Sequence, residues 1–224
     1  TRWEKLGRTI TDLIGIDSLA IPLGLMASLS ESIFAIFIII GFYTRASGKY
    51  STAIGYHTRA SGKNSTAMGW GTTASGESSV AMGVTSNSKN QASFAMGVGN
   101  EVSGSASGAI GAYITVDGNY SFATGRGTEA SGRSSTAMGW NTKAESYGET
   151  ALGIFNKDVT PISTTAYSGK DRLFVIGNGT SSLARSDALV MLKNAETTLY
   201  GNMNIVGSLN VKGGLKIGNY KFPT

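Results

Sequence analysis

Cysteine is absent, so neither disulfides nor thiolate metal sites can hold this chain together, and no cysteine nucleophile exists. The same absence leaves the redox compartment open, permitting secretion without establishing it. Histidine occurs once, as His57. A Ser-His-Asp arrangement would have to use it, yet the equivalent slots further along hold Gly71, Thr85, Gly99, Tyr113, Gly127 and Asn141. That variability reads as a solvated strand end. Runs of five or six like charges are missing; a formal charge of +5 spread over 224 residues gives no support to nucleic-acid binding. The apolar run Ile33 to Phe42 is ten residues long, whereas a membrane-spanning helix needs ~20. Its isoleucines favour a strand buried on both faces, and no membrane insertion is expected. Material for an ordinary globular core is also scarce, with 8 phenylalanines against 31 glycines. The chain starts at Thr1 without an export-signal pattern and reads as an excerpt of something longer.

What the chain has instead is a period. Glycine stands at Gly41, Gly55, Gly69, Gly83, Gly97, Gly111, Gly125, Gly139 and Gly153, a constant interval of fourteen. Alanine precedes each by two from Ala53 to Ala151, and serine precedes by four from Ser51 to Ser135, until Glu149 breaks the series. Seven residues after the marker a second glycine recurs, at Gly48, Gly62, Gly76, Gly104, Gly118 and Gly132, with Asn90 and Ser146 as exceptions. Fourteen residues are too few for a helical hairpin and lack heptad spacing, so each unit is one coil of a β-solenoid with two short strands and two turns. Residues 51–56 form the first strand and 57–60 the second. The turn around Gly62 calls for a positive φ, which glycine adopts at no cost.

Strand alternation divides each coil into two faces. Ser65, Ala67 and Gly69 share one, small and nearly invariant, which suits the inside of a flattened coil. Thr66, Met68 and Trp70 share the other. The column Ile54, Met68, Met82, Met96, Ile110, Thr124, Met138, Leu152 is almost wholly apolar and points outward, so it needs a partner surface. Were it to face inward, the chain would be a monomeric solenoid, but a coil this narrow would leave the stripe or its sheet edges uncovered. The unit Ala112 to Asp117 is more apolar than its neighbours and marks a place for a bulge or local adaptation.

Chemistry finds few footholds. Carboxylates appear singly as Glu77, Glu101 and Glu129, and the one close acidic pair, Glu145 and Glu149, is explained by a solvated turn. A glycosidase needs two held about 5 to 10 Å apart. No glycine precedes a Lys-Ser or Lys-Thr pair as in a phosphate loop, and the aspartates of calcium-binding rolls are missing. No enzyme activity, cofactor or metal site is expected. Two columns could bind. Tyr56, Trp70 and Trp140 offer stacking surface for a sugar, though the same rings could bury an interface. Thr44, Thr58, Thr72, Ser86, Thr128 and Thr142 form a ladder like that of ice-binding solenoids, although hydrogen bonding at a turn is the ordinary use of threonine.

The units STAIGYHTRASGK, STAMGWGTTASGE and STAMGWNTKAESY resemble the YadA-like head repeats of trimeric autotransporter adhesins. The resemblance spans about Gly41 to Gly153. It implies a left-handed parallel β-roll of about nine coils with three chains packed side by side. The first unit departs from the pattern, with Phe37, Ile38, Ile39 and Ile40 where small residues belong, and reads as a capping coil. After a Pro-containing link, Leu173 to Ile176 and Ala188 to Leu192 flank a Gly-Asn-Gly-Thr loop, the signature of a small β-unit. From Leu199 onward apolar residues alternate with a glycine or asparagine every sixth position: Met203, Ile205, Gly207, then Leu209, Val211, Gly213, then Leu215, Ile217, Asn219. This tail resembles the intertwined β-stalks of trimeric phage-type tail fibres, where one apolar face is buried around a threefold axis.

The expected organisation is therefore all-β: an N-terminal collar or cap over 1–36, the roll over 37–157, a linker and β-connector over 158–195, and a hexad-repeat stalk over 196–224. Within 1–32, Leu6, Ile10, Leu13 and Ile14 have helix-like spacing, and a short helix or an irregular collar are both open. The function implied is a homotrimeric extracellular attachment protein, on a cell surface or a phage-like particle, that binds a cell-surface receptor or glycan. A baseplate or another fibre protein is a further implied partner. A spacer whose binding tip lies elsewhere, and an ice-binding solenoid, are the alternatives.

Overall fold

The structure, a computed structural model, describes residues 38–212 together with the backbone at 216–217 and 220–221. The collar expected over 1–36, and the side chains of Leu215 and Ile217, lie outside the described residues. Every described element is β, and the period sets its geometry. Each coil has a five-residue strand such as Thr66–Trp70, a corner, a two-residue strand such as Thr73–Ala74, and a wider turn. Strands stack parallel on the next coil with a shift of fourteen, so Ala53 faces Ala67 and Gly55 faces Gly69. Nine long strands and eight short ones form two sheets. At ~4.8 Å per coil the stack is roughly 40 Å long.

The interior is as narrow as alternation requires. Ala53, Ala67, Ala81 and their equivalents are fully buried, as are Ala60, Ala74, Ala130 and Ala144 in the short strands. The middle coils carry larger residues there, with Val102, Ile114 and Val116 at 0% exposure. No bulge forms at Ala112 to Asp117: Ala112 pairs with Arg126 and Val116 with Ala130 in unbroken register. The extra bulk is taken up inside the coil instead of along the strand.

Both glycine columns have a different cause from the one their spacing suggests. Gly69 is exposed rather than interior, and its φ is +117°. A Cβ there would point along the solenoid axis into the carbonyl of Gly83 in the next coil. Glycine is therefore required by coil-to-coil approach. The turn glycines such as Gly62 do not carry the positive φ. That conformation falls two residues later, on Tyr50 (60°), Asn64 (57°), Ser78 (56°) and their equivalents, while a Cβ on Gly62 would strike the Gly76 carbonyl.

The two ends differ. Ile38–Phe42 is the first strand, as its isoleucines favour, but it is not buried on both faces: Ile38, Ile40 and Phe42 are 45%, 49% and 53% exposed. Only one side of a solenoid strand meets the interior. At the other end, Arg172–Asn178 adds a tenth parallel strand in which Phe174, Val175, Ile176 and Gly177 sit on Thr150, Ala151, Leu152 and Gly153. Val175 takes the buried alanine place. The strand Asp187–Leu192 then returns antiparallel and Thr197–Leu199 follows it, forming the β-unit expected around the Gly-Asn-Gly-Thr loop. Residues 202–205 and 208–211 form no strand in the single chain, and Met203, Leu209 and Val211 are exposed.

These contacts separate two glycines. Gly69→Ala combines an unfavourable φ with a backbone collision and is expected to cost roughly 3 kcal/mol or more. Gly71→Ala, at φ 65° with only the Thr85 methyl at 3.4 Å, should cost about 1 kcal/mol. Denaturant unfolding of the two variants checks the order.

Candidate functional site

Alternation turns three residues of every long strand outward, and eight of the nine place mainly apolar side chains there. Ile54, Met68, Met82, Met96, Ile110, Met138 and Leu152 follow one another in register. They remain half-exposed or exposed, Ile110 at 45%. Tyr56, Trp70 and Trp140 form the next column on the same sheet face, 40%, 52% and 46% exposed, together with Phe42, Val84, Val98 and Ile154. The sequence reading overlooked a third column, with Ile38, Val80, Phe94 and Phe122. Gly108 belongs to it and leaves space for the Phe94 ring, whose centroid lies 6.3 Å from that of Phe122. The signal was present in the same outward alternation that marked the methionines. Thr124, whose hydroxyl donates to the Ile110 carbonyl at 3.0 Å, and Arg126 interrupt the first two columns, and Thr52, Thr66, Thr136 and Thr150 the third. Fully burying one Met or Ile side chain is worth about 1.5–3 kcal/mol, so leaving this face in water is costly.

The short-strand sheet and its adjoining turns present charge. Lys63 pairs with Glu77 at 3.1 Å, Lys89 with Glu101 at 2.5 Å, and Lys143 with Glu129 at 3.5 Å and Asp158 at 3.1 Å. Burial alone would lower the Lys143 pKa, but Asp158, Glu129 and Glu145 together raise it. Such partly exposed pairs hold register more than they stabilise.

The threonine ladder lies inside. Thr58, Thr72, Thr128 and Thr142 are at most 1% exposed, and Ser86 is fully buried. No ice surface can therefore reach it. Nor does it form a chain of hydroxyl hydrogen bonds: the Oγ1 atoms of Thr44, Thr58, Thr72, Thr128 and Thr142 lack partners. Neighbours one coil apart are ~4.8 Å away, beyond hydrogen-bond reach. The longer amide of Asn100 does bridge, donating to the Gly111 carbonyl at 3.0 Å and accepting from the Ile114 amide at 3.1 Å.

His57 is an exposed corner residue at φ 54° whose ring stacks on Tyr43. The solvated turn expected for Glu145 and Glu149 is not what forms. Glu149 is 1% exposed; one carboxylate oxygen accepts from the Glu145 and Ser146 amides at 3.0 and 2.8 Å, and the other lies 2.9 Å from Arg172 Nε. Burial raises the Glu145 pKa, against the pull of Lys143. Arg172, 5% exposed, also donates to the Lys157 carbonyl at 3.0 Å. Lys193 donates to the Ser146 hydroxyl and the Arg172 carbonyl, both at 2.9 Å, and burial lowers its pKa despite Asp171 and Glu149. Asp171 accepts from the Ile162 and Ser163 amides. Ser146, Glu149, Lys157, Ile162, Asp171 and Arg172 line a cleft of about 240 Å³. They fasten the Pro161 loop and the final hairpin to the solenoid. Glu149 stands where the other coils have serine, so the broken serine series was the sequence signal for this closure.

A stack of in-register fourteen-residue parallel coils with one mainly apolar sheet is a repeat-built β-solenoid. Residues 40–58, 46–72, 60–86, 74–100 and 130–154 match the YadA head domain repeat, so these coils are YadA head repeats, an adhesin-type structural family. The match passes over 101–129, where Val102, Ile114 and Val116 enlarge the interior, yet the coil register continues through it. No curated relative matches the chain.

Two outcomes follow from the buried polar groups. Thr72→Val removes an orphaned hydroxyl without changing shape and is expected to be neutral or stabilising by about 1 kcal/mol in thermal unfolding. Arg172→Met strands Glu149 and should cost about 3–5 kcal/mol, whereas adding Glu149→Ser, the residue of the other coils, should recover a large part of that loss.

Proposed function

We propose that the chain is the head and emerging stalk of a homotrimeric attachment protein, exposed at a surface, which holds a receptor or glycan through several weak contacts at once. The observation that carries this reading is the uncovered apolar face of the long-strand sheet. Aligned Ile, Met, Leu and aromatic side chains run nearly the length of the solenoid at partial or full exposure, and a monomer would present them to water. Copies of the same chain offer a surface of matching length and period, and YadA-like proteins are trimeric. The C-terminal segment supports the same arrangement. Met203, Val206 and Leu209 are 71%, 97% and 56% exposed, and three chains wound together would supply each other the strand partners that one chain lacks. The proposed interface therefore comprises Ile54, Met68, Met82, Met96, Ile110, Met138 and Leu152 in the roll, and Met203, Ile205, Leu209 and Val211 in the stalk.

Attachment by such a rod needs no catalytic group. Three copies of a shallow site presented together gain avidity through effective concentration. The decisive measurement is native mass in solution. The chain is expected as a trimer, and Met82→Asp, which puts a charge in the middle of the apolar face, should shift it to monomer. A wild-type chain that stays monomeric at micromolar concentration would overturn the reading.

A further inference from the structure

The first two coils differ from the rest in charge. Residues 38–76 contain Arg45, Lys49, Arg59, Lys63 and His57 and no acidic residue. In-register stacking places Arg59 on Arg45 in adjacent short strands, and both side chains are exposed. Like charges set opposite one another in a sheet are destabilising. Lys49 likewise stacks below Lys63, but Lys63 has Glu77 on its other side at 3.1 Å, and further along Lys143 stacks on Glu129. Among the described residues neither arginine has a carboxylate partner.

The corner leading into these strands is also unusual. Tyr43 and His57 occupy successive left-handed positions, φ 53° and 54°, and their rings stack with centroids 4.8 Å apart. Tyr43 is 64% exposed. Three other coils fill this slot with Gly71, Gly99 and Gly127, for which the conformation is free of strain. Tyr113 shares the slot, but two residues on it is followed by Thr115, whereas Tyr43 and His57 are followed by Arg45 and Arg59. A stacked ring pair followed two residues on by a stacked arginine pair occurs at this corner alone among the described coils.

We propose that this corner binds an acidic polysaccharide. Arg45 and Arg59 pair with its carboxylate or sulfate groups, for which the guanidinium fork is suited, and Tyr43 with His57 offers ring surface to the C–H face of a sugar. The ~4.8 Å step between coils presents the two arginines as a short track along the rod. A single-stranded nucleic acid is a poorer fit, because Tyr43 on His57 and Tyr56 on Phe42 are already stacked, at 4.8 and 5.8 Å, with no gap for a base between them. This names the ligand class for the attachment reading and rests on it.

The test uses the full chain in its native oligomer, with binding measured to hyaluronate (carboxylate only), dextran sulfate (sulfate only), neutral dextran and oligothymidylate. Binding to either anionic polysaccharide but not to dextran is expected, and the preferred polymer identifies the acidic group. Arg45→Gln with Arg59→Gln should weaken it about tenfold or more. Equal charge loss elsewhere, Lys170→Gln with Lys212→Gln, should change it less than about twofold. Tyr43→Gly relieves the left-handed backbone and should weaken binding about threefold or more without lowering Tm. Absence of binding to both acidic polymers, equal losses from the two double variants, or tighter binding to oligothymidylate would each overturn the proposal. Native mass on the same samples keeps the readings apart. An intact trimer that ignores both polymers removes only the glycan site, while a monomer removes the trimeric reading beneath it.

Discussion

Parallel stacking in exact register is the constraint from which the rest follows. Each residue sits on its counterpart fourteen positions away, and the backbone hydrogen bonds join coil to coil, as when the His57 amide donates to the Phe42 carbonyl and Gly71 to Tyr56. One position in the repeat is thus one environment met many times over. A Cβ that collides with the next coil does so in every coil, so the marker column is glycine throughout, whereas a side chain that points outward varies freely. Interior positions vary within the space the coil allows: Val102 and Val116 stack on each other in adjacent coils, and Ile114 lies in the same cluster.

The same constraint explains what could be read from the chain beforehand. Period, strand placement, the outward methionine column and the final hairpin were legible because alternation and turn residues act locally. The reasons behind some residues were not. Gly69 and Gly62 look like ordinary small or turn residues in one coil, and only the coil above shows why a Cβ is excluded. The threonine column read as a ladder that could bind ice or hydrogen-bond at a turn; its buried place depends on the corner at the preceding left-handed residue, which His57, Thr85 and Tyr113 adopt without a glycine to announce it. Glu149 and Arg172 lie 23 residues apart and meet only because Gly177 takes the next marker place after a longer excursion. Leu173 to Ile176 read as one arm of a small β-unit, because the altered spacing hid its echo of the repeat.

The two sheets divide the tasks of the molecule. The long-strand sheet is mainly apolar on its outer side, while the short-strand sheet and its adjoining turns carry charges that face solvent and pair along the axis. Between them the interior is too small to supply much hydrophobic stabilisation, since alanine and serine fill most of it. Cohesion therefore comes from the hydrogen-bonded stack and from whatever covers the apolar side. At the C-terminal end Asp187–Leu192 runs against the direction of the coils. A parallel strand edge that could template further chains is thereby replaced by a hairpin.

The near-identical stretches 62–70 and 132–140 occupy equivalent places five coils apart. Excising or duplicating whole units between them would leave every column continuous and both ends untouched, because each coil meets its neighbours through the same set of contacts. Unequal recombination between these two stretches at the level of the gene would shorten or lengthen the rod by five rungs at once, adjusting its reach without any need to redesign the fold.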